Sequence, residues 1–308
     1  MRVLISGGTG MIGTALAKSL LADGHQVQVL TRDPQAARLP EGAAALAWDG
    51  RTSAGWGDEI NRADAVVNLV GERLSKWPWT KQQKQRFWES RVAGGRALVE
   101  AIQAASRPPT VLIQASGVNF YGPRDLTPVT EADAPGNDFL ADLCKAWEAS
   151  TEAVEKKGVR RVVARSAIVL SAHEGILPIM LFAVKLFAGG PLGNGRQGLP
   201  WIHISDEVAA IRFLLENGKA SGPFNLTSPH PISSTEFIRA AARTLHRPYW
   251  LPAPAFGLRL ALGEMSTLIL DGLYLLPARL QEFGFHFHFE DVKEALQDLL
   301  KVQQLYPI

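Results

Sequence analysis

Apolar positions along this chain follow two alternating rhythms, short runs closed by glycine or polar residues and longer stretches with helical spacing. The first run, Val3-Leu4-Ile5-Ser6, stops in Gly7-Gly8-Thr9-Gly10-Met11-Ile12-Gly13 and restarts as a helical pattern ending near Asp23-Gly24. Gln26 to Thr31 alternates as a second strand, Ala44 to Trp48 reads as a third, and Asp64 to Gly71 as a fourth, buried one. A helical stripe over Thr80 to Ala105 places Phe87, Val92, Leu98, Val99 and Ile102 on one face until Pro108-Pro109 stops it. Thr110 to Ser116 is a fifth strand, residues 138–157 a helix, and Val162 to Ser166 a sixth strand. Strands and helices alternating in this order predict an α/β fold, a doubly wound parallel sheet of the Rossmann type.

Beyond about residue 170 the rhythm changes. Ile176 to Phe187 is a nearly all-apolar helix, Gly189 to Gly195 a glycine-rich turn, and Trp201 to Asp206 a short strand entering a helix. Gly222 to Leu226 is another short strand, and Ser233-Ser234-Thr235-Glu236 supplies N-cap chemistry for a helix to Leu245. Ala255 to Leu276 is apolar, but Arg259, Glu264 and Asp271 interrupt it, so it reads as two packed helices and no membrane span. Those helices offer a surface on which a homodimer can form. Phe285 to Phe289 alternates as a half-buried strand or extended segment, and a last helix covers Asp291 to Val302.

The opening turn carries the most specific chemistry. A strand that ends in glycines and re-enters as a helix directs backbone N–H groups outward at a positive helix end, which suits a diphosphate. Gly7 and Gly8 permit the turn, Gly10 lets backbone approach a pyrophosphate, and Gly13 lets the helix lie on the strand, with Thr9, Met11 and Ile12 completing the cradle. At the tip of the second strand stands Thr31-Arg32-Asp33. An acid there would bind ribose hydroxyls, whereas a cation such as Arg32 accepts a 2′-phosphate, so the expected cofactor is NADP, as NADPH. Asn68, Leu69 and Gly71 end the fourth strand and Ser116 the fifth, at the edge where open sheets bind ligands. The expected division is a dinucleotide-binding domain over residues 1–170 and a smaller C-terminal α/β substrate lobe over 171–308, some of whose elements can return to the first domain.

Composition narrows the class. The chain is 46% hydrophobic and 20% charged with a net charge of +2, which fits a soluble globular protein and leaves no basic footprint for nucleic acid. Trp77, Trp79 and Trp88 do lie near Lys81, Lys84, Arg86 and Arg91, but Glu89 and Glu100 offset the charge. Cys144 is the single cysteine, so an internal disulfide and a cysteine-based metal cage are both excluded. His286 and His288 find no third ligand nearby, and no metal is expected. The N-terminus lacks a small-residue cleavage site, so a cytoplasmic location is expected.

Taken together, Asn68-Leu69-x-Gly71, Trp79-Thr80, Ser90-Arg91, Ser116-Gly117-x-x-Phe120-Tyr121-Gly122, Trp147-Glu148, Arg165-x-x-x-Val169-Leu170, Gly189-Gly190-Pro191 and Pro200-Trp201-Ile202-His203 resemble the extended and atypical short-chain dehydrogenase/reductases. The epimerase-like subgroup sometimes described as related to a bacterial cell-division inhibitor is the nearer likeness. The resemblance implies a Rossmann domain with a smaller substrate lobe and a Tyr-x-x-x-Lys pair on the helix after the fifth strand. Lys145 occupies the lysine position, but Ala141 stands where the tyrosine would be and cannot transfer a proton. Of the other hydroxyls, Tyr249, Tyr274 and Tyr306 lie in or beyond the C-terminal lobe, and Tyr121 alone sits by the ligand edge. The catalytic candidates are therefore Ser116, Tyr121 and Lys145, with Ser116 and Lys145 also touching the cofactor, and Tyr121, Trp201 and His203 are the substrate candidates. Redox or epimerase-type chemistry on a small polar molecule is the leading expectation. A cofactor-binding sensor without turnover is the alternative that the missing tyrosine supports, and an interaction protein in cell division rests only on the subgroup's description.

Overall fold

The structure is a computed structural model that describes residues 1–305, with side chains to Lys301; Tyr306 lies outside the described residues. The first half runs β1 (Arg2–Ser6), α1 (Met11–Ala22), β2 (Gln26–Thr31), β3 (Ala44–Ala47), β4 (Ala65–Asn68), α2 (Lys81–Ala104), β5 (Val111–Gly117), β6 (Pro128–Val129), α3 (Phe139–Ala149) and β7 (Arg160–Ser166). The second half adds β8 (Ile168–Leu170), α4 (Leu177–Lys185), β9 (Trp201–His203), α5 (Ile204–Glu216), β10 (Gly222–Leu226) and α6 (Ser234–Thr244). It closes with α7 (Ala255–Leu262), α8 (Thr267–Leu270), β11 (Tyr274–Leu275), α9 (Ala278–Glu282) and α10 (Val292–Leu305).

Seven parallel strands form the central sheet in the order β10-β7-β5-β4-β1-β2-β3. Successive side chains of a strand face opposite ways. Val3 and Ile5 accordingly join one core with Leu16 and Leu20 of α1 and Ile211 and Leu214 of α5. Leu4 points to the other face, into a core with Leu98 and Ile102 of α2 and Trp48 and Trp56. Burial on both faces explains why these strands are continuous apolar runs.

Six of the sheet's strands are those expected in the first domain; the seventh is the short strand expected at Gly222 to Leu226, from beyond residue 170. β10 pairs with β7 and sets Leu226 opposite Ser166. Helix α5 likewise packs on α1, where Arg212 donates to Ser19 Oγ at 2.8 Å and pairs with Asp23. The C-terminal half thus adds to the main sheet and also builds its own core from Leu177 and Leu181 of α4, Trp201, Phe237 of α6 and Leu296 of α10. The expected helix over 138–157 is divided, with α3 ending at Ala149 and a short 3-10 turn covering Glu152–Lys157.

Phe285 to Phe289 joins no sheet. The backbone N–H groups of His288 and Phe289 donate to the Asp206 carboxylate at 2.8 and 2.9 Å, so one buried side chain replaces a strand partner. The apolar stretch after Ala255 forms two short helices, and no residue of α7 is buried. Among the described residues no helix is long and apolar enough to cross a membrane.

At the start of α5, Glu207 is fully buried, and Ser166 Oγ donates to its Oε1 at 2.6 Å while Oε2 has no partner. Burial pushes its carboxyl up to about 8, against an ordinary value of 4.5. Between those values the folded chain holds a proton that the unfolded chain has released, so stability is greatest at low pH and falls as pH rises toward 8. Glu207→Gln removes this term while keeping an acceptor for Ser166. Denaturant titration from pH 5 to 9 should show a flatter profile for the variant; parallel profiles would refute the assignment.

Candidate active site

The turn between β1 and α1 is built by close backbone approach. A Cβ on Gly13 would lie 2.5 Å from Gly7 O and 2.6 Å from Gly8 Cα, so only glycine lets α1 sit this near its strand. Gly7 has φ +75°, and a Cβ there would meet the Leu69 carbonyl at 2.7 Å. Gly10 differs: its Cβ position meets only Gly7 O, at 3.4 Å, and otherwise faces open space. No side chain caps the start of α1. Its first-turn N–H groups therefore have no partner within the helix and are presented, with the positive helix end, to whatever enters over Gly10. Thr9 is exposed at the apex of the turn, and Met11 and Ile12 are half-buried at the helix start.

Strand order reverses between β1 and β4, so the cradle lies at the topological switch point, where open α/β sheets place their ligands. On the β2 side, Thr31 is half-buried and Arg32 is exposed without an ion pair among the described residues. Asp33 forms no ion pair with it among the described residues; its Oδ1 accepts from the N–H groups of Gln35 and Ala36 at 3.1 and 3.0 Å.

On the other side the strand ends are locked by buried polar chains. Ser6 donates to Asn68 Oδ1 at 2.6 Å, and Asn68 donates to Gln114 Oε1 at 2.8 Å, a ladder across β1, β4 and β5. The Asn68 side chain is thereby tied into the sheet. Leu69 packs its backbone on Gly7. Gly71 makes room for a different neighbour from the one expected, since a Cβ there would stand 3.0 Å from Arg91 Cζ.

A second chain starts at Ser116 and runs toward β10. Ser116 Oγ donates to Glu148 Oε1 at 2.7 Å, and Arg165 grips Glu148 with two N–H···O bonds of 2.9 Å. Arg165 Nη1 donates to Tyr121 Oη at 2.9 Å, and Tyr121 donates to Asn225 Oδ1 at 2.7 Å. The Asn225 N–H donates to Glu131 at 2.9 Å. Tyr121 is fully buried, and burial raises its pKa, opposed by Arg165. Burial also works against the Arg165 charge, but Glu148 more than offsets it, and its pKa rises.

A cavity of about 230 Å³ opens beside the α3 N-terminus. Trp79, Phe139 and Leu140 form its apolar side; Asn119, Asp138, Glu264 and Asp271 bring polar groups. Lys84 reaches across it to pair with Glu264, which joins α2 to the C-terminal helices. A groove of about 400 Å³ between α6 and α10, near Arg243 and Lys293, belongs to the C-terminal core instead.

Comparison with known proteins accords with this arrangement. A sequence profile described as the NAD dependent epimerase/dehydratase family matches residues 3–227. The chain belongs to that family. A second profile, a domain of unknown function designated DUF1731, matches residues 253–299, the segment that supplies Glu264 and Asp271 to the cavity. The epimerase family protein YfhF of Bacillus subtilis is 37% identical over 310 residues, covering 97% of this chain and 98% of its own. The epimerase family protein SA0724 of Staphylococcus aureus is 37% identical over 300 residues, with the same coverage. The crystal structure of the human epimerase family protein SDR39U1 (isoform 2), determined with NADPH, matches with a TM-score of 0.86 at 30% identity, covering 98% of this chain and 99% of that one. The UDP-glucose 4-epimerase of Thermus thermophilus shares the fold, with a TM-score of 0.77 at 19% identity over 97% of this chain and 99% of that one.

Within this family fold, the three residues expected to carry the chemistry are not brought together around the cavity. Lys145 reaches the loop between β6 and α3: it pairs with Asp142 at 2.7 Å and donates to Gly136 O at 3.3 Å. Ala141 is fully buried. Cys144, also on α3, lies beside Gly117 and Ser116, and burial pushes its thiol up to about 11, leaving it protonated and unreactive. Tyr121 and Ser116 are held in the network described above. The substrate candidates Trp201 and His203 also lie away from the cavity. Trp201 is in the C-terminal core, and His203 Nδ1 accepts from the Ser205 N–H at 3.1 Å, capping α5. Burial lowers the His203 pKa, with Asp298 opposing. Glu131, Asn225 and Arg91 carry no weight in a reading of spacing alone. A polar residue within an apolar strand, as Asn225 is between Phe224 and Leu226, is the signal that marks such a network.

Proposed function

We propose that this protein binds NADP(H) along the C-terminal edge of its sheet and performs redox or epimerase-type chemistry on a small polar molecule held beside Trp79, Phe139 and Asp138. The observation that carries the reading is the glycine cradle, open only over Gly10, with the unpaired Arg32 at the next strand tip. The family and the NADPH found with human SDR39U1 support it. Gly7, Thr9, Gly10, Met11, Ile12 and Gly13 would hold the diphosphate, and Thr31 and Arg32 the 2′-phosphate. When bound, the nicotinamide supplies or accepts hydride at its C4 position. The chain's own task is to position the dinucleotide and to enclose the substrate between α3 and the DUF1731 segment.

Arg32→Ala should weaken NADPH binding by about 10- to 100-fold, the worth of a charge-assisted hydrogen bond, and leave NADH affinity nearly unchanged. Calorimetric titration reads this directly; equal wild-type affinity for NADPH and NADH would remove the 2′-phosphate assignment. Turnover is tested by NADPH oxidation across carbonyl compounds and nucleotide sugars. A sensor without turnover is favoured by one specific observation, the burial of Tyr121 and Ala141 with Lys145 paired to Asp142. Tight NADPH binding with neither oxidation nor an epimerised product across that panel would establish the sensor.

A further inference from the structure

Most of the large apolar side chains left exposed among the described residues lie on two segments that pack together. Ile179, Phe182 and Leu186 share the outer side of α4 and its end, while Leu177, Leu181 and Val184 fill the C-terminal core behind them. Phe187 is exposed next to them, and the chain from Trp250 is bonded to this strip. The Trp250 indole donates to Phe187 O at 2.8 Å, and the N–H groups of Trp250 and Leu251 donate to Gly189 O at 2.8 and 3.1 Å. Helix α7 continues the face, with Phe256 75% and Leu260 79% exposed one turn apart and none of its residues buried.

Residues 176–193 and 246–262, which make this face, carry Lys185, Arg247 and Arg259 and no Asp or Glu. The Arg247 guanidinium lies over the Phe187 ring, 4.4 Å from its centroid. Its neighbour His246 lines the groove of about 400 Å³ between α6 and α10, together with Arg243, Lys293 and Lys301. No carboxylate lines that groove. Lys293, Gln297 and Lys301 recur every fourth residue, so α10 turns one stripe to it. Asp298, which lies between them in sequence, is engaged elsewhere, 3.4 Å from His203 Nε2. Arg243, Arg247, Lys293 and Lys301 are exposed and have no ion pair among the described residues.

Contiguous exposed apolar surface marks a contact surface. A second copy of this chain would bring cations against cations, with no acid of the face to meet them. An anionic bilayer matches both parts, because apolar side chains enter the acyl boundary while Arg and Lys keep their charged heads at the phosphates. Each cation near such a surface adds to the attraction.

We propose that the face of α4 and α7, with the basic groove beside it, docks this protein on the surface of an anionic phospholipid membrane. Phe182, Leu186, Phe256 and Leu260 enter the interface, and Arg243, Arg247, Lys293 and Lys301 receive lipid phosphates. The docking stands apart from the cofactor reading, since no residue of the glycine cradle takes part.

Vesicle flotation tests it with the full-length chain. Wild-type protein should float with equimolar phosphatidylcholine and phosphatidylglycerol, and bind about tenfold or more weakly to phosphatidylcholine alone. Phe256→Ser combined with Leu260→Ser, and Arg243→Glu combined with Lys293→Glu, should each weaken flotation by about tenfold or more. Leu126→Ser, at an exposed apolar residue outside the face, should bind like the wild type. Absence of flotation, equal binding to both vesicles, or binding that both double variants keep would overturn the proposal. So would a face-dependent dimer in sedimentation equilibrium, or binding of glycerol 3-phosphate in the groove, if either came without flotation. Should a double variant fail to fold, a spin label at Leu260→Cys reads the contact directly, because Cys144 is buried. The label should report bilayer contact with the anionic vesicles, and a label that stays in water refutes the docking.

Discussion

Gly10→Val should fold normally and lose NADPH binding by about 100-fold or more, whereas Gly13→Val should be damaged in the fold itself. The two glycines lie three residues apart in one turn, and their surroundings separate them. A side chain on Gly10 meets only Gly7 O, at 3.4 Å, and its φ of −85° suits any residue. Its branches would fill the space into which the first-turn N–H groups of α1 point, so a diphosphate could not reach them. A side chain on Gly13 would overlap Gly7 O at 2.5 Å and Gly8 Cα at 2.6 Å, contacts with backbone that cannot rotate away. The cost is on the order of 3 kcal/mol or more, read as a drop in thermal midpoint with ligand absent. Both variants need NADPH titration beside thermal unfolding. A Gly10→Val protein that binds NADPH like the wild type would show that the cradle does not hold the diphosphate.

The second large effect belongs to Arg165. It is 5% exposed and ties Glu148, on α3, to Tyr121, after β5, and through Tyr121 to Asn225 on β10. Arg165→Leu leaves the Glu148 carboxylate without its cation and the Tyr121 hydroxyl without a donor. Removing one member of a buried pair costs about 3–5 kcal/mol, because the remaining charge is stranded. Tyr121→Phe removes only a hydroxyl and should cost about 1–3 kcal/mol. Chemical denaturation of both variants checks the ranking. If Tyr121→Phe kept full stability and lost all turnover, Tyr121 would be a proton donor and not a member of this structural network.

That network also accounts for several residues whose presence in the sequence carried no visible reason. Trp147-Glu148 and Arg165 are markers by resemblance; in the structure Trp147 faces the Arg91 guanidinium, while Glu148 and Arg165 form the bidentate pair. Ser90-Arg91 holds the backbone after β4. Lys145, in contrast, is assigned by its distance from an absent tyrosine. Helix α3 turns Leu140, Ala141, Leu143, Cys144 and Trp147 inward, and Lys145 falls outside that buried set.

The DUF1731 segment adds what spacing could not supply. Glu264 and Asp271 come from residues more than a hundred positions beyond Phe139 and Leu140, yet they share one cavity with them. Burial raises the Asp271 pKa, opposed by Arg259.

By itself the sequence determined the parallel sheet and the glycine turn that follows its first strand. These are local matters: strand burial repeats in the hydrophobic pattern, and a turn whose backbone nearly touches itself admits glycine alone. Only the tertiary structure decided which polar groups have free hydrogen-bonding capacity. Asn68, Ser116 and Tyr121 are spent on partners 46, 32 and 104 residues away, while Arg91 has one acceptor among the described residues, Phe87 O. A hydrogen bond between distant strands leaves no trace in spacing, because the fold sets its distance.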